Sequence, residues 1–316
     1  MQWKPERPVS ETLALQLIEA QFPQLKPISI QPVSAGWDNV VYRVNAEWYF
    51  RFPVRGFAVP GVKTEIGCLP ILARIMPEIA APQFVGGPSA DYPWPFFGYR
   101  PIPGREACED DLTDRQRTAL AAPLARFLKR LHTASVAEPL RDHLPGDVWG
   151  RLDMAKRVPQ AVENFRRLCA ADLRALPISE SIVEEIAADA LNTRPLPAVA
   201  VVHGDFHFRH VIVNERGAWV GAIDWGDMHF GNPALDLQIA WSLLPPEARG
   251  DFWSEYGPVT EDQLAQARLL ALYLALVLFE YGLVEKLESV RREAERALQN
   301  LDPQRPDFSS AIIAAS

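Results

Sequence analysis

Three of the chain's six histidines, His203, His207 and His210, stand with Asp205 inside eight residues, in the run VVHGDFHFRHVIV at 201–213. Imidazoles and a carboxylate packed this closely serve two chemistries. A hydrolase would gather them around Zn²⁺, with residues 203, 205 and 207 on one face if the segment alternates as a strand. A phosphotransferase would use the aspartate to orient an acceptor hydroxyl and take its proton, with a neighbour helping to hold a divalent cation. The second chemistry calls for another carboxylate, and Asp224 supplies one at the end of WVGAI, 219–223.

The elements that must position these residues show in the hydrophobic pattern. Val199–Val202 reads as a buried strand ending at the cluster, Val211–Val213 resumes after a loop of roughly eight residues, and Trp219–Ile223 forms a third strand. Around this β-rich island the pattern is helical. Leu120, Leu124, Phe127, Leu128 and Leu131 recur on one face of a helix over 113–132 that Thr113 caps, and further helices are predicted at 151–170, 179–192, 235–244 and 260–300.

The N-terminal third differs. Ser10 caps a helix running to about Gln21, which Pro23 and Pro27 end; β-like runs follow at 28–33, 40–44 and 48–52. The tight link Asn45–Glu47 pairs the last two runs as a hairpin, and Ser34–Asn39 forms a polar loop between the first two, so a small antiparallel sheet is expected. A helix over 63–75, despite Pro70, and a β-like run at Pro95–Tyr99 lead to RPIPG, 100–104, the best candidate for a domain boundary. No internal repeat or low-complexity tract is present.

A chain of 316 residues with 48% hydrophobic and 23% charged residues is long enough for two units with their own cores. Its net charge of -8 argues against a nucleic-acid surface and weakly favours small cationic ligands. Cys68, Cys108 and Cys169 are odd in number and form no CxxC frame, so a disulfide scaffold is not expected. The N-terminus lacks the pattern of a signal peptide, and the longest apolar run, Leu269–Phe279, has 11 residues against the ~20 that span a bilayer. The expectation is a cytoplasmic protein with no nucleic-acid or membrane partner.

His203-Gly204-Asp205, a polar residue five positions on at His210, and then IDWGD at 223–227 resemble the aminoglycoside phosphotransferase family of kinase-like enzymes. SAGWDNVVYRV resembles that family's nucleotide loop and second strand, WYFRFP its third strand, LARFLKRLH at 124–132 the helix after the hinge, and GNPALDL at 231–237 the stretch after the metal aspartate. The order and spacing of these pieces carry the resemblance, which spans nearly the whole chain. It implies an α+β, two-lobed protein-kinase-like fold, with a β-rich N-lobe over 1–100 and a mostly helical C-lobe over 101–316. It implies ATP or GTP as phosphoryl donor, Mg²⁺, and a small-molecule hydroxyl acceptor: an aminoglycoside, a macrolide or a metabolite.

The same resemblance assigns residues. Asp205 is the implied catalytic carboxylate, Asp224 and His210 the Mg²⁺ ligands, Arg51 the phosphate-binding cation and Glu65 its helix partner. Ser34 and Gly36 fall in the nucleotide loop, which lacks a full GxGxxG, and Tyr99 and Ile102 in the linker that contacts the purine. Two departures stand out. Position 210 usually carries Asn, and imidazole is a softer ligand for Mg²⁺, although the macrolide phosphotransferase branch is similar in having His there. Arg51 replaces the usual Lys; guanidinium grips phosphate bidentately, so the role survives with altered geometry. Two other readings stay open: a zinc hydrolase built on HGDFHFRH, which leaves SAGWDN, WYFRFP, Glu65 and IDWGD unexplained, and a kinase-like module that binds nucleotide without transferring phosphate.

Overall fold

The computed structural model describes residues 5–36, 38–109, 111–171 and 176–301. Trp37, in the expected nucleotide loop, lies outside the described residues. Contacts divide the chain into two units. The first holds the chain up to Pro103 with Asp142–Leu144 and Ala222–Met228; the second holds Gly104–Arg141, Pro145–Gly221 and the chain from His229 onward.

In the first unit, Ser10 accepts the Leu13 N–H at 3.2 Å and starts α1 (Glu11–Gln21). There follow β1 (Ile30–Ala35), β2 (Asn39–Val44), β3 (Trp48–Pro53), α2 (Val59–Leu72), β4 (Pro82–Gly86) and β5 (Phe96–Tyr99). The strands make one antiparallel sheet in the order β1-β2-β3-β5-β4. The expected loop is shorter than its sequence suggests. Ser34 and Ala35 belong to β1, Asn39 begins β2, and the Gly36 N–H donates to the Asn39 carbonyl at 2.9 Å. Sequence reading missed β4, because PQFVG buries only its last residue and the apolar Val85 occupies an exposed position, so its residue types show no alternation.

Alternation along β3 decides where Arg51 points. Phe50 and Phe52 are fully buried in the apolar cluster beneath the sheet, where Phe52 stacks on Phe96 with centroids 4.6 Å apart. Each such burial contributes roughly 1.5–3 kcal/mol, and with a period of two it turns Arg51 to the opposite face. The register leaves no room for a side chain opposite Phe50: a Cβ on Gly98 would stand 2.6 Å from its ring.

Ala222–Met228 joins this unit through a parallel bridge between Ala222 and Ile79. The Ala222 N–H also donates to the Glu78 carbonyl at 3.2 Å. Helix α2 passes close to it at Gly61, where a Cβ would meet the Gly226 carbonyl oxygen at 2.8 Å.

The second unit runs β6 (Arg105–Glu106), α3 (Asp114–Leu131), α4 (Ala134–Ala137), α5 (Met154–Ala170), α6 (Glu180–Leu191), β7 (Ala200–Val202), β8 (Val211–Val213), β9 (Trp219–Ala222) and β10 (His229–Gly231). It ends in α7 (Ala234–Leu237), α8 (Ile239–Ser242), α9 (Arg249–Tyr256), α10 (Glu261–Val284) and α11 (Glu288–Asn300). Its strands form two small sheets, β6-β8-β9 and β10-β7. The helix expected at 235–244 resolves into α7 and α8. That expected at 260–300 breaks between α10 and α11, where Lys286 takes a φ of 57°. Helix α10 is long and apolar enough to cross a membrane, yet 61% of its most apolar window is buried within the protein, as for a core helix.

Candidate active site

Strand β7 is wholly buried and stops at Val202, and the next residues are fixed by a carboxylate distant in sequence. Asp236, fully buried in α7, accepts the backbone N–H of His203 at 2.8 Å and of Gly204 at 3.0 Å. His132 approaches the same carboxylate through Nε2 at 3.1 Å, and its Nδ1 lies 2.9 Å from the Tyr256 hydroxyl. Burial pushes Asp236 up, but the hydrogen bond and charge of His132, the charge of His203 and the His203 N–H outweigh it, leaving the carboxyl below the usual range. Gly204 takes a φ of 82°, a left-handed turn that favours glycine, and presents Asp205.

Asp205 is surrounded by donors. His207 Nε2 lies 3.5 Å from Oδ2, His210 Nδ1 3.8 Å from Oδ2, and Arg151 Nη1 3.9 Å from Oδ1. Burial raises the carboxyl, and His207, then His210 and Arg151, overcome that and hold it far below the usual carboxylate range. Asp205 is therefore an anion throughout the working pH range.

The ring contacts assign protons within the cluster. His207 Nδ1 accepts the Arg209 N–H at 3.3 Å, so its proton sits on Nε2 and points to Asp205. His210 Nδ1 lies 2.7 Å from the Asp205 carbonyl, which only accepts, so His210 carries its proton on Nδ1.

This arrangement counts against the zinc reading. Ligand atoms of Asp205, His207 and His210 do lie within 4.8 Å of one another. A metal on His207 Nε2 would displace its proton to Nδ1, where the Arg209 N–H already points. Residues 203–210 are also turns and loop, not the alternating strand that would set 203, 205 and 207 on one face. The hydrolase reading is not supported.

The first unit carries a second cluster. Arg51 Nη1 donates to Glu65 Oε1 at 2.9 Å and Nη2 to Asp224 Oδ1 at 2.8 Å. With its amide oxygen turned towards Arg51, Asn39 accepts from Nε at 3.3 Å and Nη2 at 2.9 Å. Glu65 Oε1 also takes the Trp225 N–H at 3.2 Å, tying α2 to the turn in which Asp224 adopts a φ of 63°. That left-handed conformation in a non-glycine residue is strained, as is common where a carboxylate must be aimed.

One guanidinium serves several acids here, and the two partners respond differently. Burial lowers Arg51, but Asp224 and Glu65 raise it further. Glu65 is pushed up to about 7, first by burial, which Arg51 only partly offsets, and then by Asp224 and Asp227. The buried Glu65 Oε2 has no hydrogen-bond partner. Surplus negative charge on hard carboxylate oxygens, with one orphaned, suits Mg²⁺.

The remaining candidate residues lie where the sequence suggested, in the first unit. Ser34 sits near the end of β1, beyond a bulge, opposite Val41, and Gly36 follows the strand. Tyr99 ends β5 opposite Tyr49, with its phenol raised by burial. Between Tyr99 and Gly104, Pro101 and Pro103 have no N–H and that of Arg100 donates to Gln83 at 3.2 Å, so Ile102 supplies the donor of this stretch. Sequence reasoning missed Asn39, Arg151 and Asp236. Asn39 read as loop, and Arg151 and Asp236 act on partners far along the chain. Only the acid at Asp236, within GNPALDL, left a signal.

The chain belongs to the phosphotransferase enzyme family (APH), whose model matches residues 29–272. Its fold is the kinase-like one, and it is a phosphotransferase. Among solved structures it is similar to the GDP and kanamycin complex of APH(2″)-IIIa, at 22% identity and a TM-score of 0.65 over 92% of this chain and 99% of that one. It is also similar to the streptomycin–ATP–APH(2″)-IIa ternary complex, at 19% and 0.53 over 92% and 98%. A third is macrolide 2′-phosphotransferase MphH from Brachybacterium faecium, at 20% and 0.54 over 89% and 94%. No curated protein sequence matches the chain. At these identities the likeness is one of fold.

Proposed function

We propose that the protein transfers the γ-phosphoryl group of ATP or GTP to a hydroxyl of a small molecule. The observation that carries this reading is the Arg51 fork holding Glu65 and Asp224 together, with Asn39 as a further acceptor. A cation anchored by a helix glutamate beside an aimed aspartate suits the terminal phosphates of a nucleotide. The relatives solved with GDP or with ATP support a nucleotide donor.

Asp205 is the proposed catalytic carboxylate. Its low pKa makes it a weak base, so it first orients the hydroxyl by accepting its hydrogen bond. The proton crosses late, as the new O–P bond forms and the bond to the leaving nucleoside diphosphate breaks. His207 Nε2–H holds Oδ2 meanwhile. Asp224 is the proposed Mg²⁺ ligand, and His210 would add its Nε2, since its Nδ1 proton faces the Asp205 carbonyl. Mg²⁺, when bound, supplies charge neutralisation on the phosphates. Tyr99 and the Ile102 N–H would receive the purine, with Ser34 and Gly36 over the phosphates.

The relatives act on or bind aminoglycosides and a macrolide, and fold alone does not pass their acceptors to this chain. The test is incubation with γ-labelled ATP or GTP, Mg²⁺ and a panel of aminoglycosides, macrolides, amino alcohols and sugars. Label appearing in one class supports the reading. Mg²⁺-dependent nucleotide binding with no transfer to any acceptor would favour a non-transferring module, and absence of nucleotide binding would refute both.

A further inference from the structure

In a chain with a net charge of -8, the catalytic carboxylate has a guanidinium beside it. Asp205 is flanked by Arg151, His207 and His210, and Arg151 comes from a built loop. Asp147 accepts the N–H of Trp149 at 3.2 Å, of Arg151 at 2.5 Å and of Leu152 at 3.4 Å. Gly150 takes a φ of 56° at the bend. Lys156 Nζ and Arg157 Nη2 then both donate to the Trp149 carbonyl, at 2.7 and 3.2 Å. The Asp147 carboxylate is thus engaged by three backbone N–H groups of the loop.

The same loop turns apolar surface outwards. Trp149 is 41% exposed and Val148 71%, two residues from the arginine that faces Asp205. An ordered, exposed indole offers a flat face for a ring.

Resting on the phosphotransferase reading, we propose that the acceptor is an anionic hydroxy compound, its carboxylate or comparable anion held by Arg151 and its ring laid against Trp149. A polycation would meet the Arg151 guanidinium beside the one carboxylate that must receive its hydroxyl. An anion near that hydroxyl pairs with a guanidinium whose backbone is held by the Asp147 carboxylate.

The test uses three hexoses that share one ring: D-glucuronate, D-glucose and D-glucosamine. Each is titrated calorimetrically into the full chain loaded with Mg²⁺ and a non-hydrolysable ATP or GTP analogue. Glucuronate is expected to bind about tenfold more tightly than glucosamine, with glucose between, and Arg151→Gln should cut that ratio to about threefold or less. Equal affinities, including no binding by any sugar, a reversed order, or a preference that survives Arg151→Gln would each overturn the proposal. Titrating wild type with the nucleotide analogue alone separates the two readings. If the analogue binds and the charge preference is missing, only this inference fails; if the analogue does not bind, the phosphotransferase reading fails first.

Discussion

Arg51 holds Glu65 and Asp224 on one guanidinium, at 2.9 Å through Nη1 and 2.8 Å through Nη2. One carboxylate comes from α2 and the other from a turn 173 residues away from the arginine. Arginine does this because its planar fork carries five donors, whereas lysine offers a point charge.

The fork predicts a coupling. Asn39→Ala and Arg51→Lys should each weaken nucleotide binding, and the double variant should lose less than the sum, because lysine has given up the Nε and Nη2 donors that meet Asn39. Isothermal titration over the four-protein cycle should give a coupling of about 1 kcal/mol. Strict additivity would mean that Asn39 does not position Arg51.

Asp224→Ala should lower nucleotide affinity in Mg²⁺ by about tenfold or more while changing it little in EDTA. Removing one acid from the cluster should leave the folded protein at least as stable. An Mg²⁺-dependent affinity that is the same in wild type and Asp224→Ala would place the metal elsewhere.

Glu65 gives a pH signature. Its carboxyl rises from 4.5 to about 7 in the folded protein, so folding takes up a proton between those values. A raised acid contributes stability that is complete below 4.5 and is lost as pH rises through about 7. The urea midpoint of the nucleotide-free protein should carry a component that falls over that window, and Glu65→Gln should flatten it. A midpoint that rises there in wild type and variant alike would contradict the assignment.

How much of this was legible in sequence depends on whether a residue acts on near or distant neighbours. Periodicity in WYFRFP turns Arg51 away from Phe50 and Phe52, and the buried strand AVV ends where the loop carrying Asp205 begins, whereas only the family resemblance pointed to His210 and Glu65. Asn39 resembled any turn residue, because its function lies in a contact with the neighbouring strand. Arg151 carried no signal, since only the folded loop 147–152 brings it to Asp205. Strands β6 and β10, of two and three residues, are too short to show a period.

Asp236 is the clearest residue of that second kind. Asp236→Ala should cost about 3 kcal/mol or more, because it strips acceptors from two buried N–H groups and from His132. Its folded pKa is lowered, so its contribution is present above 3.8 and lost as pH falls through the folded value. Urea denaturation at pH 7 and at pH 3 should show a smaller gap between variant and wild type at the lower pH. An equal gap at both would mean that charge on Asp236 does not hold the loop.

The most direct measurement of the central claim compares wild type and Asp205→Asn for transfer of γ-label from ATP or GTP to the accepted substrate, with nucleotide affinity measured on the same samples. The expected result is a loss of about 10³-fold in transfer with nucleotide affinity unchanged. Transfer by Asp205→Asn within tenfold of wild type would contradict the account.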